Sequence, residues 1–575
     1  MDNYKRGIAE LLAEHVQGIG IDEIEGMIEV PADEKMGDYA FPCFRLAKEY
    51  RKAPQLIAEE LAGEISGSGM FSKVENVNAY VNMFLSREQF AAGVVKEVAG
   101  AGDRYGSSDI GNGKTVIVEF SSPNIAKPFH IGHKRSTIIG NSLYKIYDFL
   151  GYDVVRINHL GDYGTQFGKM ITAYRHWGDD EKIKADPIKE LFALYVKFNE
   201  EAEKDPSLDE EARATFVKLE AGEKAEKDIW QWFRDVSIKE FKKIYGVLGI
   251  EFDSYKGESF YSDKMDAVVD ELREKGLLKE SNGAQIVDLE PYGLTPAIIL
   301  KSDGSSLYVT RDIAAAMYRK KTYDFDKCIY VVASEQNLHF QQWFKIIELM
   351  GYDWAKDLVH VAFGMVSMRE NGEIKKLSTR KGQVIFLDDL LREAVEKTKK
   401  IIEEKNVVTE NVDETARKVG IGAVIFDELS NNRIKDSVFD WDHVLNFDGE
   451  TGPYVQYTYA RATSVLRNAS EEDRAALRGG DIDASYIAGD AAYALEKLMY
   501  EMPDVVLEAA EKYEPSMVTR HVVDIAQAFN KFYHDEHILV DNAEERRAKL
   551  ALVSAARTAV GNCLGLLGME APERM

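Results

Sequence analysis

Cysteine is nearly absent: Cys43, Cys328 and Cys563 are all that 575 residues contain, and they lie far apart. Their scarcity excludes a disulfide framework and any Cys-x-x-Cys zinc knuckle, so zinc is not expected and the chain suits a reducing compartment. No apolar run approaches the roughly 20 residues that cross a bilayer. Met1-Asp2-Asn3-Tyr4-Lys5-Arg6 lacks a signal-peptide core. These absences lead us to expect a cytoplasmic protein with no membrane partner. Positive charge is also short, with 72 Lys and Arg against 98 Asp and Glu and a net charge of −26. Such a balance argues against nonspecific binding of polyanions, although a local basic face can persist on an acidic protein. What is present is ordinary for a globular protein, 45% hydrophobic and 30% charged residues. The length exceeds what one core supports and predicts roughly three to four domains.

The most informative stretch is Ser121-Ser122-Pro123-Asn124-Ile125-Ala126-Lys127-Pro128-Phe129-His130-Ile131-Gly132-His133. It follows a β-branched run, Thr115 to Phe120, and precedes apolar residues at helical spacing (Ile138, Ile139, Leu143, Ile146, Tyr147, Leu150) that Gly151 ends. A second run, Val154 to Ile157, closes a βαβ unit, with the loop at the carboxyl end of its first strand. Unpaired amides at the helix start favour anions there. Two imidazoles add donors whose charge is tunable near neutral pH, and Gly132 lets a ligand approach the backbone. A His-x-x-His pair alone reads equally well as a surface or core feature. Gly111-Asn112-Gly113-Lys114-Thr115 imitates a phosphate loop, but Ser108 stands where its first glycine belongs and the piece precedes a strand, so it is a linker turn.

The ordered motif resembles the class I aminoacyl-tRNA synthetases, and Ser-Ser-Pro-Asn-Ile-Ala-Lys-Pro narrows that to arginyl-tRNA synthetase. The resemblance spans the whole chain, down to the ending Leu-Leu-Gly-Met-Glu-Ala-Pro-Glu-Arg-Met. It implies a multidomain α/β protein. Residues 1–112 form an N-terminal α+β additional domain that contacts the tRNA elbow, or a small domain docked for stability. Residues 113–405 form a Rossmann-like catalytic domain with a connective insertion at about 175–260, and 406–575 an all-helical anticodon-binding bundle.

By the same resemblance, ATP is held by Ser121, Pro123, Lys127, His130, Gly132 and His133, with the Phe363, Gly364, Met365 and Val366 backbone cradling adenine. Arginine is held by Glu119, Asn124, Tyr308, Asp312 and Gln336. A guanidinium has five donors in a fixed plane and is best met by a carboxylate with neutral acceptors; Asp312 is that carboxylate. The second class signature is degenerate in Lys375-Lys376-Leu377-Ser378-Thr379-Arg380-Lys381-Gly382. Lys376 and Ser378 match it, Thr379 replaces its second lysine, and Lys381, Arg380 and Lys375 remain as substitute cations. Read without the rest, residues 375–382 are a solvated basic turn.

The activity implied is ligation of L-arginine to tRNA(Arg) in two steps. Arginine and ATP with Mg²⁺ give arginyl-adenylate and pyrophosphate, and the arginyl group then passes to the 2′-hydroxyl of the terminal adenosine. His130, His133, Lys376 and Ser378 form the catalytic set, and the protein binds no metal of its own. The family is mostly monomeric. Beyond about 406 the periodicity is helical, with segments such as Glu414 to Leu429 and Arg546 to Leu567. A turn-rich aromatic loop between Trp441 and Arg461 offers Tyr454, Gln456, Tyr459 and Arg461 as tRNA contacts, or as residues closing the bundle. Two rival readings are a noncatalytic tRNA-binding paralogue of the same fold and another adenylate-forming ligase.

Overall fold

The computed structural model describes residues 4–302, 308–370, 373–376, 385–404, 411–477 and 482–575. They form two compact units. One comprises 1–105, 461–502 and 524–561, and the other 106–460, 503–523 and 562–575. The division therefore does not follow the boundaries expected at 112 and 405. The first unit has a mixed aromatic core in which Tyr4 packs at 5.3 Å from Phe90 and 5.6 Å from Tyr500, so N-terminal and C-terminal residues share one interior.

The first unit holds a three-stranded antiparallel sheet, Tyr39–Pro42, Tyr80–Leu85 and Phe71–Val77 in that order. Phe71–Val77 and Tyr80–Leu85 form a hairpin. Asn78 takes φ 56° at its turn, a conformation Asn tolerates. Gly37 and Asp38 serve this sheet. A Cβ on Gly37 would lie 2.7 Å from the Met83 carbonyl, and Asp38 Oδ2 accepts the Leu85 amide at 2.9 Å.

The second unit is built on four parallel strands: β1 Thr115–Glu119, β2 Asp153–Ile157, β3 Lys327–Ala333 and β4 Leu358–Phe363. Their order is β4-β3-β1-β2. The chain moves outward from β1 to β2 and then returns to the opposite side of β1, so the switch point lies between β1 and β3, where open α/β sheets bind ligands. Helix α1, Ile131–Phe149, is the crossover from β1. Its stop is steric: Gly151 has φ 81°, and a Cβ there would come 2.9 Å from Asp109 Cα. Behind the sheet lies a core that includes Ile117, Ile313, Ile347 and the fully buried Trp343.

The insertion is helical from Thr165 to Val247, with its own core around Ile171, Leu191, Phe198 and Phe233. Two small sheets were not foreseen. One is Leu278–Ser281, Ala284–Val287 and Ala297–Leu300; the other joins Val366–Glu370 to Glu373–Lys376 and to Ser437–Phe439. The second corrects the expectation that strands end near 406: Ser437–Phe439 runs parallel to Val366–Glu370 and returns that part of the chain to the sheet unit.

Candidate active site

At the switch point a cavity of about 620 Å³ is lined by the β1 exit (Ser121, Ser122), the start of α1 (His130, Gly132, His133), the end of β3 and the Phe363–Ser367 segment. Asp436 completes its rim. The His pair and Phe363, Gly364, Met365 and Val366, all assigned to ATP by the resemblance, line this one cavity. Ser121 and Ser122 hold φ 70° and 46°, left-handed values that cost energy in non-glycine residues and persist where the surroundings fix them. For Ser121 those surroundings are Ser136, whose Oγ accepts the Ser121 amide at 2.9 Å, and Tyr245 and Thr137, which both bond its hydroxyl at 2.8 Å.

The two imidazoles cap α1. His130 Nδ1 accepts the Gly132 amide at 3.0 Å and His133 Nδ1 accepts the His130 amide at 3.1 Å. A neutral ring that accepts at Nδ1 carries its proton on Nε2, so each ring keeps an Nε2–H to donate. Burial holds the His130 pKa down at about 4. Burial, and then the neighbouring His130, keep His133 well below the ordinary value. The expectation of a charge tunable near neutral pH is therefore corrected: burial favours the neutral form of both rings. Gly132 is corrected too. A Cβ there would sit 2.7 Å from His130 Cε1, so the glycine makes room for the folded-back ring.

Other members of the ATP set stand further out. Lys127 Nζ donates to Gln166 at 2.8 Å and lies 5.2 Å from the Tyr195 ring, toward the insertion. The Pro123 carbonyl accepts the Gly161 amide. Lys376 pairs through its backbone with Ser367, a cavity residue, and the Ile385 carbonyl accepts the Ile131 amide. The near end of the degenerate signature is thus tied to the cavity, while Ser378, Arg380 and Lys381 lie outside the described residues.

None of the residues assigned to arginine is among those lining this cavity; they lie at the β1 exit, on α2, Tyr308–Tyr323, and in the Ser334–Gln336 turn. Glu119 forms a buried pair with Arg319 at 2.5 Å, and Arg319 also meets His159 Nδ1 at 3.2 Å. Asn124 is bridged to Gly161, where a Cβ would strike its Oδ1 at 2.1 Å. Asp312 Oδ2 meets His339 Nε2 at 2.5 Å. Tyr308 opens α2 and is 65% exposed, and Gln336 ends the Ser334–Gln336 turn, also exposed.

Glu258 was missed by sequence reasoning. It approaches Arg311 at 3.5 Å, and Arg311 lies 4.4 Å from the Tyr163 ring. Burial, with Asp312 and Asp162 adding to it against Arg311, pushes the Glu258 carboxyl up to about 7. A lone Glu in an irregular stretch carries no periodic signal; only the fold brings it to Asp312.

Gly452–Asn468 is a helix, so the expected aromatic loop is shorter than thought. Gln456 is fully buried and donates to the Lys418 and Glu570 carbonyls at 3.0 and 2.8 Å, which corrects its reading as an RNA contact. Tyr454 and Tyr459 are half-buried. Arg461 bonds Asn530 and lies 5.1 Å from the Tyr533 ring.

Three family models match the chain: "tRNA synthetases class I (R), catalytic domain" over 95–441, "DALR anticodon binding domain" over 455–575 and "Arginyl tRNA synthetase N terminal domain" over 2–85. The chain belongs to the arginyl-tRNA synthetase family. It is 57% identical to the arginine–tRNA ligase of Clostridioides difficile and 55% to that of Halothermothrix orenii, each over 100% of both chains. The Thermus thermophilus arginyl-tRNA synthetase structure superposes with a TM-score of 0.80 at 26% identity, covering 100% of this chain and 99% of that one. The Plasmodium falciparum arginyl-tRNA synthetase does so with 0.78 at 25% identity, covering 100% of both. Within this family the α1 His pair and the Phe363–Val366 segment frame one nucleotide-sized cavity at the sheet switch point. Among the described residues no helix is long and apolar enough to cross a membrane, and no His, Cys, Asp and Glu group can hold a metal ion.

Proposed function

We infer that this chain is an arginine–tRNA ligase that activates L-arginine with ATP and transfers the arginyl group to the 2′-hydroxyl of the terminal adenosine of tRNA(Arg). Full-length identity to arginine–tRNA ligases supports the activity. One observation supports the site: His130 and His133, which cap α1, line the switch-point cavity together with the Phe363–Val366 segment.

In this reading the triphosphate lies over the start of α1, where the His130 and His133 Nε2–H groups and the helix amides compensate its charge. The adenine lies against Phe363, Gly364, Met365 and Val366. Ser121, Pro123 and Lys127 border the phosphate end, Lys376 and Ser378 are assigned to the leaving pyrophosphate by the class signature, and Mg²⁺ arrives with ATP as part of the substrate. Arginine places its guanidinium toward Asp312 and Glu258 and its amino acid end toward Glu119 and Asn124. Tyr308 and Gln336 flank it.

The arginine carboxylate attacks the α-phosphorus, the bond to the β-phosphate oxygen breaks, and pyrophosphate leaves. The protein's part is positioning and charge compensation. Tyr454, Tyr459 and Arg461 remain as tRNA contacts, and the enzyme is read as a cytoplasmic monomer. Incubation of the purified chain with ATP, Mg²⁺, tRNA and a panel of amino acids tests the reading: arginine alone should be charged, and charging of another amino acid, or of none, overturns it.

A further inference from the structure

The cavity wall that takes the base in this reading is held through both backbone polar groups of one residue. Asp436 Oδ1 accepts the Met365 amide at 2.7 Å. The Met365 carbonyl accepts from Arg135 Nη1 at 3.3 Å and from the Ser437 amide at 2.9 Å. Arg135 Nη1 also donates to the Lys435 carbonyl at 2.7 Å, so a single guanidinium spans the two chains whose separation sets the wall. The preceding residue has no slack. The Gly364 amide donates to the Arg433 carbonyl, and a Cβ on Gly364 would sit 2.7 Å from the Ile434 and Lys435 carbonyls.

Arg135 is itself immobilised. Its Nε lies 2.7 Å from Glu428 Oε1 with both side chains fully buried, and Glu428 also holds Lys134 at 3.0 Å. A buried ion pair is a weak source of stability, since apolar residues of similar volume do as well. What it provides here is geometry: Arg135 is fixed on α1 two residues beyond His133, so the helix that presents the phosphate donors also pins the opposite wall.

We propose that Arg135 and Asp436 are positioning residues that clamp the Met365 backbone from its carbonyl and amide sides and so fix the distance between the base wall and the phosphate donors of α1. The proposal rests on the reading of this cavity as the ATP site. Neither residue touches the reacting atoms. Arg135 works through the Met365 and Lys435 carbonyls, and Asp436 through the Met365 amide.

The test uses the full-length protein. Asp436 is exposed, so Asp436→Ala is expected to fold, and loss of its charge-assisted bond should raise the KM for ATP by about tenfold while the KM for arginine stays within about twofold. Asp436→Asn retains an acceptor and should recover most of the ATP affinity. Arg135→Lys keeps the charge beside Glu428 but cannot span both carbonyls, and should show the same split. An unchanged KM for ATP in Asp436→Ala overturns the proposal, as does an equal rise in both KM values. If Arg135→Lys fails to fold, the two Asp436 variants decide. Direct titration separates the proposal from its premise: wild type that binds no ATP refutes the ATP site, whereas wild type and Asp436→Ala binding ATP equally refute the clamp alone.

Discussion

Arg319 Nη2 stands 2.5 Å from Glu119 Oε2, both side chains almost wholly enclosed at the carboxyl end of β1. The pair holds Glu119 in place where the chain leaves β1, and Arg319 bridges it to His159. A buried pair broken on one side leaves an uncompensated charge, which costs about 3–5 kcal/mol. Arg319→Met should therefore lower unfolding stability by about that amount in denaturant titration. A loss under about 1 kcal/mol would show that the pair is not enclosed in solution.

Arginine affinity should depend on pH through Glu258. Its carboxyl is raised to about 7, chiefly by burial, then by Asp312 and Asp162 against Arg311. The anion is the form that attracts a guanidinium, so the KM for arginine should fall as pH rises from about 6 to 8. Glu258→Gln should flatten that profile and raise the KM throughout. A wild-type profile that is flat, or that rises with pH, contradicts the assignment.

The His pair gives a different profile. Because burial keeps His130 at about 4 and His133 well below its usual range, neither changes charge in the free enzyme near neutrality. His130→Ala should reduce the rate of pyrophosphate exchange by about 10² to 10³. An Asn at the same position retains a donor and should lose less, and identical losses for Ala and Asn would mean that the ring serves only as a cap.

Asp312 is the carboxylate assigned to the guanidinium, and His339 occupies one of its oxygens. Asp312→Asn should raise the KM for arginine by at least about tenfold, in line with loss of a charge-assisted bond, and leave ATP binding nearly intact. Unchanged saturation by arginine would remove Asp312 from the pocket.

Gln456 should behave as a structural residue. Gln456→Ala leaves the Lys418 and Glu570 carbonyls without their buried donor, so thermal unfolding should report a loss of about 1–3 kcal/mol. Loss of tRNA affinity with unchanged stability would restore its reading as an RNA contact.

The strands β1 and β2 were legible because each is a β-branched run between turn signals. The His pair was legible because it follows β1 directly and opens α1, so local chain geometry alone puts it at a helix start. The Ser437–Phe439 strand was not: three residues carry no usable period, and the strand exists only through its pairing with Val366–Glu370.

The sequence by itself determined the family, the parallel-sheet scaffold and the residues assigned to phosphate and guanidinium, because these reside in short ordered motifs and local periodicity. Tertiary structure alone decided their states. It neutralised both imidazoles by burial, enclosed Glu119 with Arg319, raised Glu258 beside Asp312, turned Gln456 inward and brought Asp436 to the Met365 peptide. Each of these depends on partners distant in the chain, and on a dielectric that exists only once the core has closed.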